Sequence, residues 1–331
     1  MPRWEQQFNQ DMLEQAARLI EVDLQDIKHI GGFENIVYSF RKDGRELILR
    51  VGHSSHRTPE MAAAEMHFIN YLATHQVRVA KPVHFSNGQL TACIDAGEGQ
   101  FILTMFEKAA GSHIDSSHPD WGSELFEQWG ELTGMMHALE QHYQLPADMQ
   151  PRPHQDYSGF DTKDFGAEEQ ALYSRLQEVE ARINDLPRER AAYGLCHRDL
   201  HPGNFFVQDG RIIAFDFDDC GYDYLVQDIA MAIYYGTVFG NWKAPVYELE
   251  QTSAIANQLL KDFMTGYNRQ YQLERRWMEQ LPLFIEKRRL ELCLLLYKEY
   301  SAANEPEVNR AWLRYNIQAV EQGIPCMQLT I

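Results

Sequence analysis

The sequence predicts an α+β fold with two lobes: a small antiparallel sheet with one helix, followed by a larger and mainly helical part. Three observations support this prediction. The chain has 331 residues, which is more than one typical core requires. Short apolar runs separated by turn residues fill positions 1–106, whereas apolar residues at helical spacing dominate the rest of the chain. We therefore predict one lobe over residues 1–106 and a second over residues 107–331.

The first lobe is predicted from its apolar runs and the turns between them. A short amphipathic helix covers residues 8–22, and Pro59 marks the start of a helix that runs to about His75. Gly31 and Gly32 form a flexible turn between the first two strands. The predicted strands are 27–30, 36–40, 46–51, 79–85, 90–94 and 101–106. Together they describe a mostly antiparallel sheet with one inserted helix.

The second lobe combines helices with a short stretch of strands. Apolar positions at helical spacing predict a helix over residues 123–139. Residues 144–166, which are rich in Pro, Asp and Gln, are typical of a loop or an insertion. Two strands are joined at Asp209-Gly210, a dipeptide typical of a tight hairpin turn. The other predicted elements are helices over 167–186 and 229–235, and strands over 205–207 and 211–215.

The composition narrows the class of protein. The chain carries 30 Lys and Arg against 48 Asp and Glu. This net charge of −18 argues against nucleic-acid binding, which requires a basic surface. An acidic cleft could attract a cationic substrate, although acidity also simply favours solubility. The five cysteines show no CxxC spacing, as expected for reduced thiols rather than disulfides or zinc ligands.

The location of the protein is predicted from its first residues and its apolar runs. The first ten residues are polar and carry no signal-peptide core. The longest apolar run, residues 229–240, is too short to span a bilayer. We therefore expect a cytoplasmic protein that does not bind membranes. Separately, we expect a monomer or a homodimer.

Residues suited to chemistry concentrate between His197 and Asp219. Residues 197–204 read His-Arg-Asp-Leu-His-Pro-Gly-Asn, and residues 211–219 form an apolar run that ends in Asp-Phe-Asp-Asp. Phosphoryl transfer needs Mg²⁺ on hard oxygen ligands and a group that takes the proton of the acceptor hydroxyl. Asp199 is suited to be that base. The candidate metal ligands are Asn204, Asp216 and Asp218.

The two aspartates at the end of the apolar run could act together. In an extended chain, Asp216 and Asp218 point to the same side, which would form a metal clamp. A purely structural cluster is the alternative, because Asp-rich turns are common.

Phosphoryl transfer also needs a cation on the phosphates and a group that holds this cation. Arg50 interrupts the apolar run over residues 47–51, and Glu65 has apolar neighbours at helical spacing. A carboxylate on an apolar helix face should be paired. Arg50 is therefore the expected partner of Glu65, with a surface lysine as the alternative.

The spacing His-x-Asp-x-x-x-x-Asn, followed by an apolar strand that ends in Asp216, resembles the aminoglycoside phosphotransferase and choline kinase family. Residues 197–206, 216–219 and 226–228 are also similar to its type II homoserine kinase-like and stress-response kinase branch. The resemblance implies the two-lobed protein-kinase-like fold, with ATP and Mg²⁺ as cofactors. It also implies that the first lobe binds the nucleotide and that the second lobe is the catalytic and substrate-binding lobe.

The resemblance also implies roles in nucleotide binding. Arg50 stands where protein kinases carry a lysine, and an arginine keeps its charge and binds phosphate as a fork. Gly31 and Gly32 lie where the family has its phosphate-covering loop, although they lack the GxGxxG spacing and could equally form a plain hairpin turn. Asp228 either caps the helix that follows it or steadies the catalytic loop. Adenine would be held by backbone groups of Phe106, Glu107 and Lys108.

Three functions compete. The preferred one is ATP-dependent transfer of the γ-phosphoryl group to a hydroxyl of a small molecule, which would be an amino alcohol, an amino acid, a sugar or an aminoglycoside. A protein Ser/Thr kinase of the stress-response type is disfavoured, since no Ala-Pro-Glu motif follows Asp216 and the segment after Asp219 is short. A non-catalytic nucleotide-binding scaffold is disfavoured because every expected catalytic residue is present: Asp199, Asn204 and Asp216.

Zinc chemistry is a weaker interpretation of the same loop. His197 and His201 have the spacing of a zinc-binding helix, but Arg198 replaces the glutamate that such a site needs, and Pro202-Gly203 breaks any helix there. We therefore expect structural roles for both histidines. The acceptor pocket is expected on the C-terminal helices, which offer a mixed-charge set that could equally be a solvated face: Glu286, Arg288, Arg289 and Tyr297.

Overall fold

The structure, a computed structural model, describes residues 4–32, 34–147, 149–152 and 160–331. Part of the predicted loop over residues 144–166 lies outside the described residues. The chain divides into two compact units, and the first extends past residue 106 and includes two later segments. Unit 1 comprises Met1–Ala110, His142–Pro153 and Ile213–Asp218; unit 2 comprises Gly111–Gln141, His154–Ile212 and Asp219–Ile331.

Unit 1 is built on an antiparallel sheet. Its elements are α1 (Gln10–Ile20), β1 (Lys28–Gly31), β2 (Ile36–Lys42), β3 (Arg45–His53), α2 (Pro59–Thr74), β4 (Pro82–Val83), β5 (Thr91–Asp95) and β6 (Gln100–Glu107). The strand order is β1-β2-β3-β6-β4, with β5 also paired to β6. Only Pro82 and Val83 of the predicted strand over 79–85 pair with β6. The prediction was too long because Val79 forms an isolated bridge with Ala214 and the Phe85 N–H donates to the carbonyl of Gln89.

Side chains of β3 alternate between the two faces of this sheet. Leu47, Leu49 and Val51 are buried in the core that α1 covers. Arg50 lies between Leu49 and Val51 in the chain, so its side chain points to the opposite face.

The helix α2 begins where the sequence predicts. The hydroxyl of Thr58 accepts a hydrogen bond from the Met61 backbone N–H at 3.3 Å, and Pro59 occupies the first helical position. Glu65 is fully buried on this helix among apolar side chains, including Phe68 and Ile69. Its position therefore requires a buried cation as a partner.

Unit 2 is mainly helical. Its elements are α3 (Ser123–Glu140), α4 (Ala167–Asn184), β7 (Tyr193–Cys196), β8 (Phe205–Gln208), β9 (Arg211–Ala214), β10 (Gly221–Tyr224), α5 (Leu225–Val238), α6 (Leu249–Tyr267), α7 (Arg275–Met278), α8 (Leu281–Tyr300) and α9 (Glu307–Glu321). The border between the units falls within β9. β7 pairs with β10, and β8 pairs with β9.

The helix α5 lies inside unit 2. All its residues are buried, as expected of a helix that is apolar on every side. It begins at Leu225, three residues before Asp228, so the prediction that a helix starts after Asp228 was too short. Tyr224 is extended and forms the N-cap. Within the described parts of the chain, no helix has both the length and the apolar character of a bilayer-spanning segment.

The predicted hairpin at Asp209-Gly210 is present. The φ angles of these residues are 50° and 70°, which is the left-handed geometry of a tight two-residue turn. β9 ends at Ala214, one residue before the predicted end. The chain then turns at Asp216, whose φ of 62° also lies in the left-handed region.

Glycines allow α3 and α6 to pack closely. A Cβ atom at Gly130 of α3 would lie 1.8 Å from the backbone oxygen of Phe263 on α6. A Cβ atom at Gly266 of α6 would lie equally close, 1.8 Å from the backbone oxygen of Glu127. The backbones of the two helices therefore touch, and a larger residue at either position would push them apart.

Gly130→Ala should destabilise the protein, because the new methyl group would overlap the carbonyl oxygen of Phe263. We expect the free energy of unfolding to fall by roughly 1–3 kcal/mol, measured from urea denaturation curves. Ser123→Ala is the control, since Ser123 is exposed at the start of the same helix, and it should change stability by less than about 0.5 kcal/mol. Equal stability of the two variants would contradict the close helix contact.

Candidate active site

The loop over residues 197–204 connects β7 to β8, and one buried carboxylate holds its backbone. Asp228 accepts hydrogen bonds from the backbone N–H groups of His197, at 3.0 Å, and Arg198, at 2.7 Å. Arg198 has a φ of 69°, in the left-handed region that residues other than glycine rarely adopt. Asp228 therefore stabilises the turn that immediately precedes Asp199.

The carboxylate of Asp228 is itself fixed by its surroundings. It is 1% exposed. Burial raises its pKa, but the hydrogen bond from His137, the neighbouring charges and the Arg198 N–H outweigh burial, and the pKa is lowered. An ionised carboxylate only accepts hydrogen bonds, so His137 Nε2 donates to Oδ2 at 3.1 Å. His137 Nδ1 and the hydroxyl oxygen of Tyr267 form a further hydrogen bond at 2.8 Å. Asp228 thus binds the loop and does not cap α5.

Asp199 lies on this loop, and its side chain is partly exposed to solvent. Its side chain is 23% exposed. Oδ2 accepts from Asn204 Nδ2 at 2.9 Å and lies 3.5 Å from His201 Nε2, while Oδ1 lies 3.6 Å from Arg288 Nη2. Burial raises the pKa of this carboxyl, but His201 and Arg288 more than offset burial, so the pKa is lowered. A carboxylate that is ionised at neutral pH is able to accept a proton.

Asn204 is oriented by Asp199. Its Nδ2 donates to the backbone oxygen of Asp199 as well as to the carboxylate, at 2.9 Å in each case. Because the amide nitrogen faces Asp199, the amide oxygen points away from that residue. It is a hard oxygen of the kind that Mg²⁺ prefers.

The two histidines of the loop accept backbone hydrogen bonds inside it. His197 Nδ1 accepts from the Asp199 N–H at 3.3 Å, and His201 Nδ1 accepts from the Gly203 N–H at 2.9 Å. Neither histidine belongs to a group of three possible metal ligands among the residues that the structure describes. Their geometry is that of residues that shape the loop.

The predicted pair of Arg50 and Glu65 is present in unit 1. Arg50 Nη1 and Nη2 donate to Glu65 Oε1 and Oε2 at 2.8 and 2.7 Å, and both side chains are buried. This two-point contact fixes the plane of the guanidinium group. The alternative, a surface lysine as the partner of Glu65, is wrong.

Asp216 and Asp218 approach the same guanidinium. Each has its Oδ1 atom 3.8 Å from Arg50 Nη1. The expectation of an extended chain was wrong, because Asp216 adopts a left-handed φ, yet both carboxylates face one cation. They differ in access: the side chain of Asp216 is 48% exposed and that of Asp218 is 11% exposed.

Asp218 has further cationic partners that the sequence analysis missed. His56 Nε2 lies 2.9 Å from its Oδ2, and Arg57 Nε lies 3.6 Å from the same atom. Burial raises the pKa of Asp218, but His56, Arg50 and Arg57 outweigh burial and hold it far below its usual range. Hydrogen bonds to Asp218 and Glu34 raise the pKa of His56 to about 9. Asp216 is therefore the more accessible oxygen donor of the two aspartates.

The backbone conformation at Gly31 and Gly32 favours glycine at both positions. Their φ angles are 128° and 131°, which residues with a side chain rarely adopt. A Cβ atom at Gly32 would lie 1.8 Å from the backbone oxygen of Asn35. The turn alone therefore accounts for both glycines.

In the segment of Phe106, Glu107 and Lys108, two backbone N–H groups already donate hydrogen bonds to other parts of unit 1. Glu107 donates to the Lys81 carbonyl at 2.8 Å, and Lys108 donates to the Glu46 carbonyl at 3.1 Å. Adenine held at this segment must therefore contact its other backbone groups. The Phe106 ring lies 5.3 Å from the guanidinium carbon of Arg50.

Four residues of α8 were predicted to line the acceptor pocket, and one of them contacts Asp199. Arg288 makes this contact. Arg289 is buried and pairs with Glu286, and the hydroxyl of Tyr297 donates to a glutamate of α4 at 2.6 Å. Neighbouring residues on a helix point in different directions, which fits the different partners of Arg288 and Arg289. Arg288 is therefore the residue of this set whose contact with Asp199 is seen, and the acceptor pocket itself stays a prediction.

Comparison with known proteins identifies the family. A family model described as the phosphotransferase enzyme family matches residues 26–281, which is more than half of the chain. Amicoumacin kinase of Bacillus subtilis (strain 168) is 30% identical over 319 residues, covering 96% of this chain and 93% of the relative.

Solved structures agree with this match. Amicoumacin kinase hAmiN in complex with AMP-PNP, Ca²⁺ and Ami has a TM-score of 0.86 and 28% identity, covering 98% of this chain and 97% of that one. A microcompartment-associated aminopropanol kinase has a TM-score of 0.68 and 23% identity, covering 96% and 99%. Spectinomycin phosphotransferase has a TM-score of 0.60 and 15% identity, covering 95% and 98%. The last two likenesses show the fold alone.

These findings confirm the protein-kinase-like fold and the preferred function predicted from the sequence. The chain is a kinase that transfers a phosphoryl group from ATP to a hydroxyl of a small molecule. It is a member of the phosphotransferase enzyme family.

Proposed function

We propose that Asp199 is the catalytic base of this kinase and that the acceptor is a hydroxyl-bearing amine related to amicoumacin or to an amino alcohol. The position of Asp199 carries the proposal: it is ionised, partly exposed, and joined to Asn204 on a loop whose backbone Asp228 holds. The negative charge of the whole chain favours a cationic acceptor.

The reaction on this proposal is an in-line displacement. The acceptor oxygen attacks the γ-phosphorus of ATP, and Asp199 accepts the hydroxyl proton. The bond between the γ-phosphorus and the β–γ bridging oxygen breaks, so that ADP leaves and the acceptor becomes a phosphate monoester. Arg288 and Asn204 hold the two carboxylate oxygens of Asp199 in place.

Unit 1 is proposed to bind the nucleotide. Arg50 contacts the phosphates and Glu65 fixes the direction of its guanidinium group. Gly31 and Gly32 form the turn over the phosphates, where the absence of side chains allows a close approach. Adenine would lie at the segment described above: Phe106, Glu107 and Lys108.

The carboxylate of Asp216 is proposed as a ligand of Mg²⁺, and the amide oxygen of Asn204 is proposed as a metal ligand of the same chemistry. Both are hard oxygen donors, and the exposure of Asp216 leaves it accessible. When bound, the ion supplies positive charge that neutralises the phosphates. Asp218 also has the chemistry of a ligand, but its contacts with His56, Arg50 and Arg57 suit it better to positioning these cations.

The first experiment identifies the acceptor and the base together. Purified protein with MgATP should release ADP, and form a phosphate monoester seen by ³¹P NMR, with amicoumacin or with 1-amino-2-propanol. Asp199→Asn should lower kcat by roughly 10²–10⁴-fold, because it removes proton acceptance and keeps the side-chain shape. Binding of ATP should be nearly unchanged.

Asp209→Asn is the matched control, since it makes the same chemical change in the hairpin turn and should retain wild-type turnover. Turnover in Asp199→Asn that equals that of this control would contradict the assignment of the base. Phosphorylation of casein, in the absence of any turnover with the small molecules, would contradict the proposed acceptor class.

Asp216→Asn should weaken the Mg²⁺-dependent part of ATP binding by roughly tenfold or more, since one anionic ligand is lost. The measurement is the Kd for ATP by isothermal titration calorimetry, with Mg²⁺ and with EDTA. Asp43→Asn is the control, because Asp43 is exposed and also adopts a left-handed φ, of 51°. An unchanged difference between the two conditions in Asp216→Asn would rule out Asp216 as a ligand.

A further inference from the structure

Trp242 is an exposed aromatic residue supported by the core of unit 2. Its exposed fraction is 42%. The indole stacks on Phe239, with ring centroids 4.4 Å apart and an interplanar angle of 23°. Phe239 is fully buried and contacts the buried ring of Trp312 at 5.3 Å. The core therefore supports one side of the indole, while a large part of the ring remains open to a partner.

The backbone around Trp242 is fixed by hydrogen bonds. The carbonyl of Gly240 accepts from the Ser116 N–H at 2.9 Å. Asn241 accepts from the Lys243 N–H at its Oδ1 atom, at 2.9 Å, and from the Ala244 N–H at its backbone oxygen, at 3.0 Å. This is a side-chain-stabilised turn. The indole is thus held in position before any ligand binds, which lowers the entropic cost of using it for recognition.

The indole lies beside the proposed catalytic base. The ring centroids of Trp242 and His201 are 6.2 Å apart, and His201 Nε2 lies 3.5 Å from Asp199 Oδ2. Tyr235 contacts both aromatic rings, at 5.6 Å from Trp242 and 4.7 Å from His201. The imidazole of His201 therefore contacts both Trp242 and Asp199, which places the indole close to the proposed base.

We infer that Trp242 is a specificity-determining residue, on which a flat apolar ring of the acceptor stacks while the acceptor hydroxyl meets Asp199. This inference rests on the proposed function, because it uses Asp199 as the base. A large aromatic surface that is rigid, partly open and next to the reacting group favours flat ligands over compact aliphatic ones. Trp242 would act on acceptor binding and leave the chemical step unchanged.

Two acceptors that differ in one group test this inference. 2-Amino-1-phenylethanol and 1-amino-2-propanol share the same amino alcohol and differ only in a phenyl or a methyl group. The wild type should show a higher kcat/KM for the phenyl compound. Trp242→Ala should raise the KM for the phenyl compound roughly 5–30-fold, from the loss of one stacking contact, and should change kcat and the KM for the methyl compound by less than about twofold.

Two further variants separate stacking from general effects. Trp242→Phe should retain most of the phenyl preference, because it keeps a flat ring. Leu295→Ala removes an exposed apolar side chain of unit 2, 55% exposed, and should leave both KM values unchanged. An equal rise in KM for both acceptors in Trp242→Ala would mean a merely structural role and would overturn the inference.

The results of these assays also distinguish a failure of this inference from a failure of the proposed function. Turnover without a phenyl preference in the wild type overturns the role of Trp242 and leaves phosphoryl transfer intact. Absence of turnover with either compound counts against the proposed acceptor class, and calorimetric titration then decides the role of Trp242. Tighter binding of the phenyl compound that is lost in Trp242→Ala supports the inference, and the absence of such a difference overturns it.

Discussion

The contact between the buried carboxylate of Asp228 and the backbone of the loop over 197–204 underlies the proposed chemistry. An ionised group in the interior is unfavourable unless its oxygens accept hydrogen bonds. Asp228 meets this condition with donors from His197, Arg198 and His137. Since α5 is buried along its whole length, the carboxylate cannot move without disturbing the core. The left-handed backbone of Arg198 is thus held by a residue of a fully buried helix.

Unit 1 also contains a buried charge that is held by hydrogen bonds, but this charge is positive. The guanidinium of Arg50 is buried and fixed by two hydrogen bonds to Glu65, with Asp216 and Asp218 nearby. A buried pair adds little net stability compared with apolar residues, so its value lies in the direction that it gives to the charge. Charges that are oriented before the substrate arrives stabilise a transition state without reorganisation. Both units therefore use buried ion contacts to position groups suited to phosphoryl transfer.

Features set by local chemistry could be predicted from the sequence, whereas contacts between distant segments could not. The pairing of Arg50 with Glu65 was predictable because a charge on an apolar face needs a partner. The direction of the Asp216 side chain was not predictable. A single residue with a left-handed φ changes the course of the chain, and the periodicity of the sequence does not reveal such a residue. The contact of His56 with Asp218 joins residues far apart in sequence. Trp242 was missed because its value depends on which side chains surround it, and an isolated tryptophan gives no such signal.

The central claim is that Asp228 fixes the loop that presents Asp199. Its most direct test is the single-turnover rate of phosphate monoester formation by Asp228→Asn, which replaces one acceptor oxygen with an amide group that cannot accept from a backbone N–H. We expect this rate to fall at least roughly 100-fold through misplacement of the base, while ATP affinity and the circular dichroism spectrum stay close to those of the wild type. A folded variant with a rate within about threefold of the wild type would contradict the account.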